Sequence, residues 1–447
     1  MHNIQNNDLI PHLRATNYNT DYIQCLDPMM KEEFDQTMFN QELNNHIYML
    51  ASTGSGKSEL LKLLYVRLES TEASIVIFDP HGDLALQCGR MINEKEDIIY
   101  IDPTLDKDLT PTINPFKLKN KDEETIEIMA QEIMNALESI VGEDFTTNME
   151  TLLTPLIYTL LRKGDSGIDE LLRFLDDEDN EDLIKFAKKS PIRNHRNFMA
   201  NQFSKDKFKV TKDALSTKLQ LLLNNPTFSN FITGDSTLNL EKALNSKKII
   251  IFRLPKSKMR KTLEPAGKLV MALIQGIVLK RSDKPKIYRP KTYLICDEYQ
   301  NFFGQISNEM LSESRKNNLF IIGAHQYLTQ LTTKSRDGLM SGAHTKIIGK
   351  NSNKDLKMMS EEIDVDLSSL KNLNLGEFYI QNGSNQAVRV KTIDRYIDDT
   401  NLIDSYIWEE HLKYQKKHFY RRIDDNKKTE RVTEKEKSLP VPKFEED

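Results

Sequence analysis

The chain has 447 residues, of which 38% are apolar and 29% are charged, and its formal net charge is −5. This length predicts about two to three folded domains, and the apolar content is enough for a sizeable core. The negative charge excludes a protein that is basic over its whole surface, so any contact with nucleic acid must be confined to local patches.

The cysteines and the hydropathy pattern predict the compartment. Cys25, Cys88 and Cys296 are far apart and lack the spacing of a metal site, which is typical of free thiols in a reducing cytoplasm. No apolar run approaches the ~18–20 residues that span a bilayer, and the run 269–279 is predicted to be a buried helix. Residues 1–20 are polar, unlike a secretion signal. We therefore expect a cytoplasmic protein without a transmembrane segment of its own.

The first strongly patterned stretch is an apolar strand at residues 46–50, followed by the loop Ala-Ser-Thr-Gly-Ser-Gly-Lys-Ser (51–58) and a helix from Lys57. This strand–loop–helix context is typical of a P-loop. The loop glycines let backbone N–H groups surround a phosphate chain, and the helix N-terminus adds partial positive charge. Ala51 stands where the motif usually has its first glycine, but Gly54 and Gly56, which wrap the phosphates, are present.

We predict that this loop binds a nucleoside triphosphate. Lys57 is expected to reach the β- and γ-phosphates, and the Ser58 hydroxyl to bind Mg²⁺. The candidate nucleotide-binding residues are Ser52, Thr53, Gly54, Ser55, Gly56, Lys57, Ser58 and Glu59. The alternative is a glycine-rich turn that binds nothing, and the Gly-Lys-Ser sequence with both flanking elements disfavours it.

The strands that follow are continuously apolar, which indicates a parallel sheet covered by helices on both faces. They are predicted at residues 74–78, 98–101, 249–254, 293–298, 319–323, 345–348, 378–380 and 388–390. Residues 119–235 have almost no strand pattern. Apolar residues recur there at helical spacing, as at Ile126, Met129 and Ile133. This segment is predicted to be an all-helical insertion in an α/β domain.

The predicted organisation has four parts. Residues 1–45 are a polar lead-in, residues 46–118 and 236–395 form the α/β domain, and residues 119–235 form the helical domain. Residues 396–447 are predicted to form a charged helix and tail. Within the insertion, the acidic stretch 176–182 is interpreted as a solvated loop, with metal binding as the alternative. The basic stretch 188–196 is interpreted as a polar surface, with a nucleic-acid contact as the alternative.

Residues 293–298 (Tyr-Leu-Ile-Cys-Asp-Glu) form an apolar strand that ends in two carboxylates, as a Walker B strand does. Asp297 is predicted to hold the hydration shell of Mg²⁺ close to Ser58. Glu298 is predicted to position and deprotonate the water that attacks the γ-phosphate.

Two further catalytic candidates follow the Walker B strand. Gln326 ends the next strand, where its amide can sense the γ-phosphate; an ordinary polar strand end is the alternative. Arg315 is the first candidate for an arginine that reaches the nucleotide of a neighbouring subunit, and Lys346 is the second. A surface salt bridge is an equally open interpretation of either residue.

These motifs together resemble those of the TraG/TraD-type coupling ATPases of conjugative transfer, in the FtsK/HerA superfamily of DNA motors. The resemblance covers residues 46–392. Its most specific parts are residues 78–84 (Phe-Asp-Pro-His-Gly-Asp-Leu) and 113–116 (Ile-Asn-Pro-Phe). The other matching parts are the P-loop and the segments 296–299, 314–316, 323–326 and 376–378.

The resemblance implies a RecA-like P-loop NTPase fold with a mainly parallel sheet and an inserted all-α domain. It also implies ATP and Mg²⁺ as cofactors, DNA as the partner that is moved, and a hexameric ring. Relaxase or secretion-channel proteins are further implied partners. Coupling ATPases of this kind usually carry N-terminal membrane helices. Because we expect none here, any attachment to a membrane channel would be peripheral and through partners.

A ring reconciles the negative net charge with DNA binding, because only loops that face the pore need to be basic. The candidate DNA contacts are Lys256, Lys258, Arg260 and Lys261, in a predicted basic loop. The leading hypothesis is an ATP-hydrolysing DNA translocase. The alternatives are a HerA-like or viral-type packaging or processing ATPase, and a nucleotide-dependent switch that binds proteins without moving DNA.

Overall fold

The computed structural model describes residues 44–69, 71–302, 307–392 and 402–423. Nearly all of the expected lead-in and the tail beyond residue 423 lie outside these ranges. The strands of the described chain are β1 (Ile47–Leu50), β2 (Ser74–Asp79), β3 (Ile98–Ile101), β4 (Leu109–Thr110), β5 (Ile249–Arg253), β6 (Thr292–Cys296), β7 (Leu319–His325), β8 (Thr345–Gly349), β9 (Glu377–Asn382), β10 (Val388–Lys391) and β11 (Arg421–Arg422).

The α-helices are named in the same way. They are α1 (Lys57–Glu69), α2 (Asp83–Arg90), α3 (Glu123–Val141), α4 (Thr147–Lys163), α5 (Ile168–Leu175), α6 (Glu181–Ala187), α7 (Arg193–Asn201), α8 (Lys209–Leu223), α9 (Pro226–Ile232), α10 (Leu240–Leu244), α11 (Lys256–Met259), α12 (Leu263–Leu279), α13 (Ser307–Lys316), α14 (Thr333–Gly342), α15 (Asn353–Ile363), α16 (Leu367–Lys371) and α17 (Ser405–Phe419).

Nine strands form one sheet in the order β10-β9-β8-β1-β7-β6-β2-β5-β3. The seven strands from β8 to β3 are parallel, and β9 and β10 are antiparallel additions. The mainly parallel α/β fold predicted from the sequence is therefore confirmed. The parallel strands are apolar throughout because helices cover both faces of the sheet. Along β2, for example, Ile75 and Ile77 face one core while Val76 and Phe78 face the other.

The insertion packs against α12, a mainly apolar helix of the α/β domain in which 13 of 17 residues are buried. Helix α3 crosses α12 at Gly276, where a Cβ atom would lie 2.1 Å from the sulfur of Met129. Residues 119–235 contain helices and turns but no strand, as the sequence predicts. Their core is continuous with that of the α/β domain. The proposed boundary therefore separates chain segments and not two independent hydrophobic cores.

Asn114 of the Asn-Pro-Phe segment closes the base of the insertion. Its side-chain amide donates to the carbonyls of Ser166 and Gly234, both at 2.9 Å. The backbone N–H of Ile113 donates to the carbonyl of Phe231 at 2.7 Å. The segment where the chain enters the insertion and the segment where it leaves are thus held side by side.

The C-terminal helix α17 covers the free edge of the sheet at β3. Gln415 accepts a hydrogen bond from the N–H of Tyr100 at 3.0 Å and donates to the carbonyl of Ile98 at 3.1 Å. Trp408 packs edge-on against Tyr100, with ring centroids 5.2 Å apart. These contacts satisfy backbone groups that an uncovered edge strand would leave open.

One helical run, Lys256–Asp283, is long and apolar enough to cross a membrane by composition alone, within the part of the chain that the structure describes. In the fold, 78% of its apolar window is buried. This burial is what a core helix of a globular domain shows.

Candidate active site

The P-loop lies where β1 ends, between the carboxyl ends of β7 and β8. Gly54 and Gly56 have φ angles of 74° and 95°, in the left-handed region that favours glycine. A Cβ atom on Gly56 would lie 3.1 Å from the Cα atom of Gly376, whose N–H donates to the Ser55 carbonyl at 2.9 Å. Ser52 donates to the carbonyl of Lys350 through both its N–H and its hydroxyl. The loop is therefore braced from two sides, with the open N–H groups of the first turn of α1 beyond it.

The sheet brings Lys57 and the two Walker B carboxylates together. The Nζ atom of Lys57 lies 2.8 Å from Oδ1 of Asp297 and 2.7 Å from Oε1 of Glu298. All three side chains are at most 7% exposed. Lys57 and Asp297 are far apart in the sequence, but they are in direct ionic contact at the carboxyl edge of the sheet.

Burial and charge act against each other in this cluster. Burial disfavours the ammonium of Lys57, but the attraction of Asp297 and Glu298 outweighs it and raises the pKa of Lys57. Burial raises the pKa of Asp297 in spite of the nearby lysine. Burial also opposes the charge of Glu298, but Lys57 and two amide hydrogen bonds lower its pKa. Glu298 is thereby kept deprotonated, as a base must be.

Gln326 connects Glu298 to the P-loop. Its Nε2 atom donates to Oε1 of Glu298 at 2.7 Å, and its Oε1 atom accepts from the Thr53 hydroxyl at 2.9 Å. Asn351 donates to the backbone carbonyl of Gln326 at 2.8 Å. The sensing candidate therefore contacts both the P-loop, through Thr53, and the carboxylate of Glu298.

The Asp-Pro-His-Gly-Asp segment follows the neighbouring strand β2. The buried Asp79 carboxylate accepts from the N–H groups of His81 and Ala85, both at 2.8 Å, which fixes the turn. Nε2 of His81 lies 4.0 Å from Oε1 of Glu298, and the imidazole is about half exposed. This segment thus forms the wall of the site opposite Gln326.

The residues present fit a nucleotide with Mg²⁺. Ser58 offers an exposed hydroxyl one residue after Lys57, and Asp297 offers a carboxylate oxygen. The Ser55 hydroxyl oxygen is buried within the loop and has no hydrogen-bond partner among the described residues. Mg²⁺ usually takes one or two protein ligands and keeps water and phosphate oxygens, and Ser58 and Asp297 would be those ligands. Over the same ranges, no three His, Cys, Asp or Glu side chains form a metal site by themselves.

Residues 38–272, more than half of the chain, match the family described as the central domain of the helicase HerA. The chain belongs to this family. A search of curated proteins found no match. The HerA assignment agrees with the P-loop, the Asp-Pro-His-Gly-Asp wall and the parallel sheet described above.

Solved structures share the fold of this HerA-family chain. The bacterial conjugative coupling protein TrwB, unbound, is 18% identical, with a TM-score of 0.57 over 79% of this chain and 85% of TrwB. The plasmid coupling protein TrwB in complex with ADP and Mg²⁺ is 16% identical, with a TM-score of 0.58 over 82% and 90%. VirB4 of Thermoanaerobacter pseudethanolicus is 16% identical, with a TM-score of 0.53 over 78% and 89%. At these identities the likeness shows the P-loop α/β fold.

Arg315 does not lie in the site of its own subunit. It is exposed at the end of α13, where its guanidinium contacts the Asn45 side chain at 3.5 Å, just before β1. This is the amino edge of the sheet, opposite the P-loop. Lys346, the second candidate, is held by an ion pair with Glu362 at 2.5 Å. Arg315 therefore remains a candidate only for the nucleotide of another copy.

The four candidate DNA contacts lie at the carboxyl edge, beyond β5. They form a helical turn, α11, and a 3₁₀ turn at Arg260–Thr262, and not the open loop that the basic composition suggests. The buried side chain of Met259 anchors this segment in the core. Lys256, Lys258, Arg260 and Lys261 are all exposed.

The sequence did not indicate the contributions of Gln300 and Gly376. Gln300 donates to Oε2 of Glu298 at 2.6 Å, and Gly376 supports the P-loop. Gln300 could have been singled out because it stands two residues after the base. Nothing in the sequence around Gly376 predicts its contact with a loop some 320 residues away.

Proposed function

We propose that this HerA-family protein hydrolyses ATP and uses the energy to move DNA. The observation that carries the proposal is the convergence of Lys57, Asp297 and Glu298 beside the P-loop. A dead site would be expected to lose one of these residues. All three are present, and the lowered pKa of Glu298 supports the proposal because it keeps this carboxylate ionised and able to take a proton.

The roles of the residues follow from their positions. Lys57 and the N–H groups at the start of α1 bind the phosphates, and Glu298 takes a proton from the attacking water. Ser58 and Asp297 would hold Mg²⁺, which neutralises charge on the phosphates. Gln326 contacts both Thr53 and Glu298. Gln326 can therefore transmit the presence or absence of the γ-phosphate to β7, the strand that it follows.

A hexameric ring would give a role to Arg315 and to the exposed cations of α11, which have none in a single subunit. Arg315 is exposed on the edge opposite its own P-loop, as an arginine that serves a neighbouring site would be. The exposed cations on α11 and the following turn give a local basic surface on a chain of net charge −5. We propose that this surface contacts DNA.

Conjugative transfer is the setting that we propose. Its support is the fold shared with a coupling protein and with VirB4, together with the motifs of residues 78–84 and 113–116. A relaxase or a secretion-channel protein would then be the partner. The protein would act in the cytoplasm or at a membrane channel through that partner.

The test is the steady-state ATPase rate with single-stranded DNA, with double-stranded DNA and without DNA. We expect one form of DNA to raise the rate, because a translocase couples hydrolysis to its track. Replacing Lys256, Lys258, Arg260 and Lys261 by Ala should bring the ratio of stimulated to unstimulated rate towards one.

The matched control replaces Lys284, Lys286 and Lys291, exposed lysines that precede β6, by Ala. Slow hydrolysis that ignores both forms of DNA would contradict translocation and favour a protein-binding switch. Stimulation that the variant at residues 256–261 retains in full would remove this surface from the mechanism.

A further inference from the structure

Gln300 occupies a position next to the catalytic carboxylate that none of the roles above uses. Its Nε2 atom donates to Oε2 of Glu298 at 2.6 Å, whereas Lys57 and Gln326 both donate to Oε1. The two carboxylate oxygens are thus served by different parts of the protein. Because Gln300 lies on the turn that follows β6, its contact fixes the rotation of the carboxylate.

The backbone of Glu298 gives a reason for such support. Its φ and ψ angles are 51° and 54°, in the left-handed region that non-glycine residues seldom adopt. A conformation of this kind persists only where surrounding contacts determine it, and it is frequent at active sites. The side chain of Glu298 is therefore aimed by an unusual backbone and must be retained by its hydrogen bonds.

The turn that carries Gln300 is held by hydrogen bonds and packing. The N–H of Asn301 donates to the carbonyl of Glu298 at 2.9 Å, and the N–H of Phe302 donates to that of Tyr299 at 3.1 Å. The Tyr299 ring packs closely against Gly323 of β7, where a Cβ atom would approach the ring to 2.4 Å. Gln300 is thus presented from a support that the sheet holds in place.

We propose that Gln300 is a positioning residue that orients the Glu298 carboxylate for proton abstraction during ATP hydrolysis. The inference rests on the proposed ATPase function. The hydrogen bond from Gln300 holds Oε2 of Glu298, while Oε1 is held by Lys57 and Gln326. The Gln300 Oε1 atom is buried without a hydrogen-bond partner among the described residues, so it can also accept a hydrogen bond from a water molecule in the site.

The test compares kcat and KM for ATP for the wild type and three variants of the full chain. Gln300→Ala removes the donor, Gln300→Met removes it while keeping the volume, and Gln300→Glu replaces it by a second carboxylate. Gln131→Ala, at an exposed glutamine on α3 whose amide donates to Asn135, is the matched control.

We expect kcat of the Ala and Met variants to fall about ten-fold or more, the scale of a hydrogen bond to a charged group, with KM for ATP unchanged. Gln300→Glu should lower kcat at least as much, because an ionised carboxylate cannot donate to Oε2 of Glu298 and repels it.

A wild-type kcat in Gln300→Ala or Gln300→Met would overturn the proposal. A rise in KM for ATP that accompanies the lower kcat, or full activity of Gln300→Glu, would also overturn it, since either result indicates packing of the turn alone. If the wild type itself shows no ATP turnover, the underlying function fails, and if Glu298→Gln retains turnover, the assignment of the base fails.

Discussion

Replacing Lys57 by methionine should destabilise the protein in the absence of nucleotide, and the loss should depend on pH. The lysine lies 2.8 Å from Asp297 and 2.7 Å from Glu298, and all three side chains are at most 7% exposed. Removing one partner of a buried ion pair costs about 3–5 kcal/mol, because it leaves an uncompensated charge. In this variant two buried carboxylates, those of Asp297 and Glu298, lose their shared cation, so the free energy of unfolding should fall by about this amount.

Protonation of one carboxylate sets an upper limit on this cost. A carboxyl group with an ordinary pKa near 4 takes up a proton at pH 8 at a cost of about 5 kcal/mol, and at pH 6 at a cost of about 3 kcal/mol. Without Lys57 the folded-state pKa of the carboxyl lies above its unfolded value. The folded variant then binds the extra proton, and its deficit must shrink as the pH falls.

The assay is urea unfolding at pH 8 and pH 6, followed by the fluorescence of Trp408, the single tryptophan of the chain. Lys413→Met, at an exposed lysine of α17, is the control and should unfold like the wild type. The triple variant Lys57→Met, Asp297→Asn, Glu298→Gln should recover most of the stability, because it buries no net charge. A Lys57→Met variant as stable as the wild type at pH 8, or a deficit that grows on acidification, would refute the ionic cluster.

Two further predictions concern the sensing contact and the edge of the sheet. Thr53→Val should lower kcat about ten-fold, because the hydroxyl that orients the Gln326 amide is lost, whereas Thr53→Ser should retain activity; equal rates for the two variants would contradict this. Trp408→Ala should lower the free energy of unfolding by about 3–5 kcal/mol, measured by circular dichroism in urea, because the ring packs against Tyr100 at the edge strand. A change within error would mean that α17 adds no stability to the sheet.

The strands and the helical insertion could be predicted because burial leaves a direct trace in sequence. Strand β2, covered on both faces, is apolar at four of its six positions, and α3 buries the predicted helically spaced residues Ile126, Met129 and Ile133. Helix α7 was missed because only Met199 of its nine residues is buried, so it has no apolar periodicity. The pairing of β4 with β11 joins two-residue strands over 300 residues apart, which local patterns do not show.

The part of the candidate site that is built from sequence motifs could be predicted. The meeting of Lys57 with Asp297 follows from a topology in which both strands end at one edge of a parallel sheet. The support from Gln300 and the left-handed backbone of Glu298 depend on tertiary contacts and have no periodic or motif pattern. Gly376 lies in a segment that matches the family's motifs, but the motif does not show that this glycine contacts the P-loop. The placement of Arg315 on the opposite edge required the order and direction of the elements around it.

The central claim is that one site, built from the P-loop and the acidic pair after β6, binds and hydrolyses ATP. Its most direct test is to measure ATP affinity and single-turnover hydrolysis for the wild type and for Glu298→Gln, side by side, with Mg²⁺ present. We predict that the variant binds ATP with near wild-type affinity and hydrolyses it at least about a hundred-fold more slowly, since it has lost the base. Near-normal turnover of Glu298→Gln, or ATP binding that survives Lys57→Met unchanged, would contradict the account.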